Sequence, residues 1–194
     1  YFLIGDVSGK GIPASLFMAI TRSLFRTLSQ HVLSPAKIVT EMNNSISDNN
    51  ESNMFVTLIV GILDLETGIL KLCNAGHNPP ILIYPDGQVS YLEFKTQIFV
   101  GVVEDFKYSD EEVVLEKESK LFLYTDGVTE AENINKELYG EEKLLEMLSD
   151  NASSDVRTTV NVVVDSIASH VKEAEASDDL TILLIQYEPG TANS

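Results

Sequence analysis

The chain has 194 residues, 44% of them apolar, and thirteen basic against thirty acidic side chains give a net charge of −17. That length supports one well-packed core more readily than two, and the charge repels nucleic acid and anionic lipid surfaces. No apolar run approaches the roughly 20 residues of a membrane span. The start at Tyr1 lacks the basic, extended character of a signal peptide. A soluble, cytoplasmic domain is expected, because the single cysteine, Cys73, cannot form an internal disulfide. The absence of an initiating Met, with a first residue already inside a strand-like run, suggests a piece of a longer polypeptide.

Residues 2–7 read as a buried strand, and the turn at residues 8–11 (SGKG) hands it to a helix. Phe17, Ile20, Leu24 and Leu28 of that helix fall on one face at helical spacing. Ser34 and Pro35 signal a second helix, as cap and first helical residue, with Ile38, Met42 and Ile46 on its apolar side. The periodicity then turns to strands at 55–63, 69–73, 81–84 and 89–94, divided by turn signals at 66–68, 76–80 and 86–87. This pattern predicts an antiparallel meander. Further strands are expected at 113–115 and 120–125, helices at 141–148 and 156–171, and a closing strand at 180–187. Against the last helix stands the run 158–164 (TTVNVVV), rich in strand formers. Residues 104–118 and the helix-like 130–150 read as solvated acidic surface. Runs of helices and of antiparallel strands without regular alternation indicate an α+β fold. One domain over 1–188 and a tail at 189–194 are expected.

The segment 5–11 (GDVSGKG) fails as a P-loop, since Lys10 stands where the second glycine should be and Gly11 replaces the following Ser or Thr. Gly9, Gly11 and Ala14 fit the looser dinucleotide pattern. However, Gln30 and His31 occupy the place of the ribose-binding acid, and the antiparallel strands conflict with a parallel sheet.

A metal turn fits better. Asp6 ends a strand, the tight turn exposes the carbonyl of Val7, and the glycines permit close approach to the backbone. Asp126 follows the strand at 120–125, and Asp178 and Asp179 precede the one at 180–187. Alone, Asp126 with Gly127 is an ordinary turn and the 178–179 pair a solvated loop. Together with Asp6 they are carboxylates held at strand ends, which cannot crowd as anions without a cation. Oxygen donors of this kind suit Mg²⁺ or Mn²⁺.

Four segments carry a resemblance: residues 5–14 (GDVSGKGIPA), 74–80 (NAGHNPP), 123–131 (LYTDGVTEA) and 178–182 (DDLTI). They look like the ordered signature blocks of bacterial PPM-type (PP2C-like) serine phosphatases of the SpoIIE/RsbU-type group. The resemblance implies an α-β-β-α sandwich of two antiparallel sheets flanked by helices. It implies a phosphomonoesterase for phosphoserine or phosphothreonine that uses two Mn²⁺ or Mg²⁺ ions. Asp6 would bridge the two ions, the Val7 carbonyl would bind one, Asp126 and Asp178 would complete the other, and Asp179 is a weaker ligand candidate. The family carries a further acidic motif on a strand upstream of the first block. This sequence begins after it, so N-terminal strands are expected to be missing, with a weaker second metal and an uncovered sheet edge that invites a homodimer.

The group also implies a phosphorylated protein substrate, often a STAS-domain anti-anti-sigma factor, and an upstream sensor or receiver domain in the full-length chain. A non-catalytic module that binds a phosphoprotein or relays a conformational signal is the alternative, and in the family the two helices after the first metal turn are thought to act as a switch. Lys10 is either a phosphate-attracting group or a solvated turn lysine. His77 reads as a structural turn histidine, because no carboxylate partner is evident. His31 and His170 read as surface or core fillers and Cys73 as a packing residue.

Overall fold

Eight strands and four helices follow one another as β1 (Phe2–Val7), α1 (Ile12–Leu28), α2 (Pro35–Ser47), β2 (Val56–Leu63), β3 (Ile69–Ala75), β4 (Ile81–Ile83), β5 (Val89–Tyr91), β6 (Glu111–Val114), β7 (Lys120–Tyr124), α3 (Glu141–Asp150), α4 (Val156–Val171) and β8 (Ile182–Gln186). The computed structural model describes residues 1–48, 50, 53–174 and 178–189. The strands make two four-stranded sheets, β1-β2-β3-β6 and β5-β4-β7-β8. Every pairing in both is antiparallel. Each sheet with two of the helices forms one of two compact units, the first from residues 1–77 and 94–114, the second from 78–93 and the chain after 114. The α+β class is as expected.

The first unit is organised by β2, whose alternate residues Val56, Leu58 and Val60 join one apolar cluster with Ile38, Val39 and Met42 of α2. These three α2 side chains have no exposed surface, and full burial of each is worth about 1.5–3 kcal/mol. Helix α2 starts where Ser34 accepts a hydrogen bond from Lys37 N, 3.2 Å away, with Pro35 in the first turn. Asp110 strengthens the start, accepting from the Ser34 hydroxyl at 2.6 Å and from the amide of Ala36.

The face that α1 buries is shifted from the expected one. Ile20 is 55% exposed and lines up with exposed Ile12 and Leu16, while Thr21 takes the buried position among Phe17, Leu24 and Leu28. Thr21 tolerates burial because its hydroxyl donates to the carbonyl of Phe17, 2.9 Å away.

In the second unit, Ile81 and Ile83 of β4 and Phe122 and Tyr124 of β7 pack with Leu144 and Leu148 of α3 and Val163 and Ile167 of α4. The strand-forming run within α4 is helical. Asp155 caps it by accepting from Arg157 N and Thr158 N, and Thr159, Val163 and Ile167 give it a buried stripe.

Two expectations need correction. The four strands 55–63, 69–73, 81–84 and 89–94 are not one meander. β2 and β3 pair, β4 and β5 pair, but β3 and β4 lie in different sheets. Between them Gly76 takes a positive φ of 78°, and Pro79 and Pro80 remove two backbone donors. The helix-like reading of 130–150 holds only from Glu141. Before it, Asn133 Oδ1 accepts from the amides of Asn135 and Glu137, Glu132 bridges Leu138, and Gly140 enters the helix at φ 82°. Among the described residues no helix is long and apolar enough to cross a membrane.

Candidate metal centre

In the first unit, Asp6 sits next to the end of β1, opposite Thr57 of β2. At the preceding residue the strands approach so closely that a Cβ on Gly5 would lie 2.7 Å from the carbonyl oxygen of Thr57. The chain beyond is clamped by Ser8, whose amide donates to Phe55 O and whose hydroxyl accepts from Phe55 N, both at 2.9 Å. In a trans peptide the N–H and C=O point in opposite directions. Aiming the Ser8 N–H at Phe55 therefore turns the Val7 carbonyl toward the side of β1 away from β2, where β1 has no strand partner among the described residues. Gly9 and Gly11 then reverse the chain with φ of 83° and 80°, conformations that favour glycine. Lys10 between them is exposed.

His77, read from the sequence as a structural turn histidine, makes a contact beyond its own turn. It is buried, 4% exposed, and its backbone is locked by Asn74, whose Oδ1 accepts from His77 N at 2.8 Å and whose Nδ2 donates to His77 O at 3.0 Å. Its ring Nδ1 lies 3.0 Å from the hydroxyl of Thr57. That hydroxyl also reaches the carbonyl of Asp6 at 3.5 Å. The only signal available in the sequence was a single hydroxyl residue inside the apolar run of β2.

In the second unit, Asp126 lies two residues past β7, and Asp178 and Asp179 lie just before β8. Hydrogen bonds continue past the end of the β7–β8 ladder. Thr125 N donates to Thr181 O and Thr181 N to the Thr125 hydroxyl, both at 3.1 Å. The same hydroxyl donates to the carbonyl of Asp179 at 3.2 Å. Gly127 lets the turns close further, since a Cβ there would sit 2.4 Å from the Asp179 carbonyl oxygen and 3.6 Å from the carbonyl carbon of Asp178. The Asp126 turn is tied down by Glu130 N donating to Asp126 O at 2.7 Å and Val128 N to Thr125 O at 3.0 Å. Asp178 Oδ1 accepts from Asp179 N at 2.8 Å. Asp126 is half-buried, and Asp178 and Asp179 are exposed.

The structure thus brings the Asp126 turn against the 178–179 turn within one unit and holds Asp6 with Val7 in the other. Among the described residues no group of three or more His, Cys, Asp or Glu side chains has metal-ligand spacing. The donors are carboxylates and a carbonyl, hard oxygen ligands whose chemistry fits Mg²⁺ or Mn²⁺ and not a soft cation. The one thiol is no alternative nucleophile. Cys73 is fully buried, and burial pushes its pKa up to about 12. Burial likewise raises Tyr124, two residues before Asp126, well above the ordinary phenol range.

Residues 1–188 match the family described as Stage II sporulation protein E (SpoIIE). The chain is 26% identical over 184 residues to the phosphoserine phosphatase RsbU of Bacillus subtilis, covering 94% of this chain and 54% of RsbU. It spans between a third and just over half the length of curated relatives it matches. Among solved structures it superposes on the SiaA-PP2C domain of Pseudomonas aeruginosa with a TM-score of 0.81 at 24% identity, covering 96% of this chain and 76% of that one. RsbX, crystallised in complex with magnesium, gives a TM-score of 0.66 at 19% identity, covering 95% of this chain and 79% of that one. These likenesses establish the PP2C-type fold.

Proposed function

The chain belongs to the stage II sporulation protein E (SpoIIE) family, and from that premise we propose that it is a metal-dependent phosphatase acting on phosphoserine or phosphothreonine in a signalling protein. The observation that carries this reading is the contact at Gly127, which sets the Asp126 turn directly against the 178–179 turn. Two adjoining turns that each carry a carboxylate offer oxygen donors from which a hard cation can be held. A relative, RsbU, is named a phosphoserine phosphatase, and a structural neighbour, RsbX, was solved with magnesium. We assign Mn²⁺ or Mg²⁺ to Asp6, the Val7 carbonyl, Asp126 and Asp178, with Asp179 as an auxiliary ligand.

A pair of divalent ions supplies charge neutralisation at a phosphoryl group and a water acidified enough to act as nucleophile near neutral pH. The protein's part is positional. Asp6 and Asp126 present carboxylates from turns fixed by backbone hydrogen bonds, so little reorganisation accompanies substrate binding. No covalent protein intermediate is needed, in keeping with the buried, protonated Cys73.

The substrate we propose is a phosphorylated STAS-domain protein, with a sensor or receiver domain elsewhere in a longer polypeptide and a cytoplasmic setting. The side of β1 that has no strand partner among the described residues is the proposed place for an upstream strand or a second copy. The test is Mn²⁺-dependent phosphate release from a serine-phosphorylated STAS domain, comparing the wild type with Asp126→Asn. Loss of release in the variant is expected, and equal rates would overturn the metal-carboxylate assignment. If calorimetry detects no Mn²⁺ binding, either by this chain or by a version extended upstream, the domain is instead a phosphoprotein-binding relay.

A further inference from the structure

We infer that His77 and Thr57 are positioning residues for the Asp6 and Val7 ligands, acting through the peptide that joins them. The inference rests on the metal-dependent reading above. The carbonyl of Asp6 belongs to the peptide between Asp6 and Val7, whose two Cα atoms carry the Asp6 side chain and lead into the Val7 carbonyl, so a contact to that carbonyl bears on where both donors start, while Ser8 N donating to Phe55 O turns the Val7 carbonyl itself. Thr57 Oγ1 reaches the Asp6 carbonyl from the opposite strand at 3.5 Å, and His77 Nδ1 lies 3.0 Å from Thr57 Oγ1.

A hydroxyl has a single proton, so one arrangement satisfies both contacts: His77 Nδ1–H donates to Thr57 Oγ1, and Thr57 Oγ1–H donates to the Asp6 carbonyl. The chain of donation therefore runs from His77 toward the metal turn and requires the Nδ1–H tautomer. His77 is suited to this because its backbone is held on both sides. Its amide and carbonyl are closed in a ring with Asn74, and Gly76 before it bridges Leu58, the residue after Thr57. The aromatic ring of Phe99 lies 2.5 Å from where a Gly76 Cβ would stand, sealing that side. A turn histidine of merely structural value would need only the Asn74 ring. The additional contact to the strand opposite Asp6 is what assigns the role.

The experiment compares Thr57→Val, which keeps shape and loses the hydroxyl, with Thr57→Ser, which restores it, and with Asp6→Asn as reference. Mn²⁺ binding is read by calorimetry, and hydrolysis of p-nitrophenyl phosphate is read across a Mn²⁺ titration. Thr57→Val is expected to weaken Mn²⁺ binding by about tenfold, in the range found for groups that orient metal ligands, with KM for the ester at saturating metal unchanged. Thr57→Ser should recover wild-type binding. If Asp6→Asn binds Mn²⁺ as the wild type does, the metal reading itself fails. If Asp6→Asn is impaired while Thr57→Val matches the wild type, only the present inference fails. Should Thr57→Val not fold, ¹⁵N NMR of the histidine rings in the wild type decides. A pyrrole-type Nδ1 on His77 supports the assignment, and a pyrrole-type Nε2 overturns it.

Discussion

Replacing Gly127 by Ala adds one carbon where the structure has no room for it. The new Cβ would stand 2.4 Å from the carbonyl oxygen and 3.0 Å from the carbonyl carbon of Asp179, short of ordinary contact at 3.4 Å by 1.0 Å in the first case. Both obstacles are backbone, so no side chain can swing aside, and the 178–179 turn must retreat from Asp126 by about an ångström. The Thr125 hydroxyl bond to the same carbonyl, already 3.2 Å, stretches with it. Gly127 has no positive φ, so the effect is steric and not conformational. Overpacking of this kind costs about 1–3 kcal/mol of stability. A misplacement of about 1 Å between groups that must act together costs on the order of 100-fold in rate, or about 2.7 kcal/mol of barrier. The assay is Mn²⁺-dependent hydrolysis of p-nitrophenyl phosphate alongside urea unfolding. Gly87→Ala serves as the matched control. Gly87 lies in the turn between β4 and β5 at φ 91° with open space around it, so alanine there costs about 1–2 kcal/mol through backbone strain alone. Turnover of Gly127→Ala within twofold of that control would refute the reasoning.

Other consequences are as direct. Mn²⁺ at about 100 times its dissociation constant should stabilise the fold by about 2.7 kcal/mol and raise Tm by roughly 5–10 °C; an unchanged melting curve after chelation would contradict the metal assignment. Asp155 is held below the ordinary carboxylate value of 3.8, first by the Thr158 hydroxyl and then by the amides it caps. Its charge-dependent stabilisation is therefore complete above 3.8 and fades as pH falls through the lowered value. The stability gap between wild type and Asp155→Asn, measured by urea unfolding, should narrow over that acidic range, and a constant gap would show that the carboxylate charge is irrelevant. Cys73, fully buried and pushed up to about 12, should react with an aromatic disulfide reagent at pH 8 only at the rate of unfolding; prompt labelling of the native protein would contradict its burial.

The helices and strands were largely legible because their apolar spacing and their Gly, Pro and Ser punctuation agree. Ser34 and Pro35 announce α2 as plainly in the sequence as in the structure. What could not be read depends on partners far along the chain. Ile20 and Thr21 fit the periodicity of α1 equally well, and the structure buries Thr21, whose hydroxyl is satisfied within its own helix. The crossing from β3 to β4 looks like one more hairpin, since turn residues mark where a strand stops and say nothing of which sheet the next one joins. At the candidate site the acids were visible as strand ends. The Thr57–His77 contact was not, because it follows from the β2–β3 register and from the closure of the 74–77 turn, neither of which a local pattern encodes.

The Asp6 turn and the Asp126 turn, each within its own unit, share one construction principle, and it separates architecture from charge. At Asp6 and Asp126 the hydrogen bonds that shape the turn use the backbone: the carbonyl of Asp6 accepts from Thr57, and the carbonyl of Asp126 accepts from Glu130 N and the Thr129 hydroxyl. Exchanging the Asp126 carboxylate for an amide removes its charge while these turn bonds persist, so Asp126→Asn probes chemistry on an intact scaffold. Asp178 differs, because its own Oδ1 accepts the amide of Asp179. An asparagine can keep that bond, whereas an alanine cannot, and Asp178→Ala therefore disturbs geometry and charge together. Gly127 and Thr57 are the complementary cases, in which geometry changes and the ligand charges stay as they were. A centre held mainly by the mutual attraction of ion and carboxylates would tolerate these two changes; one held by its turns would not.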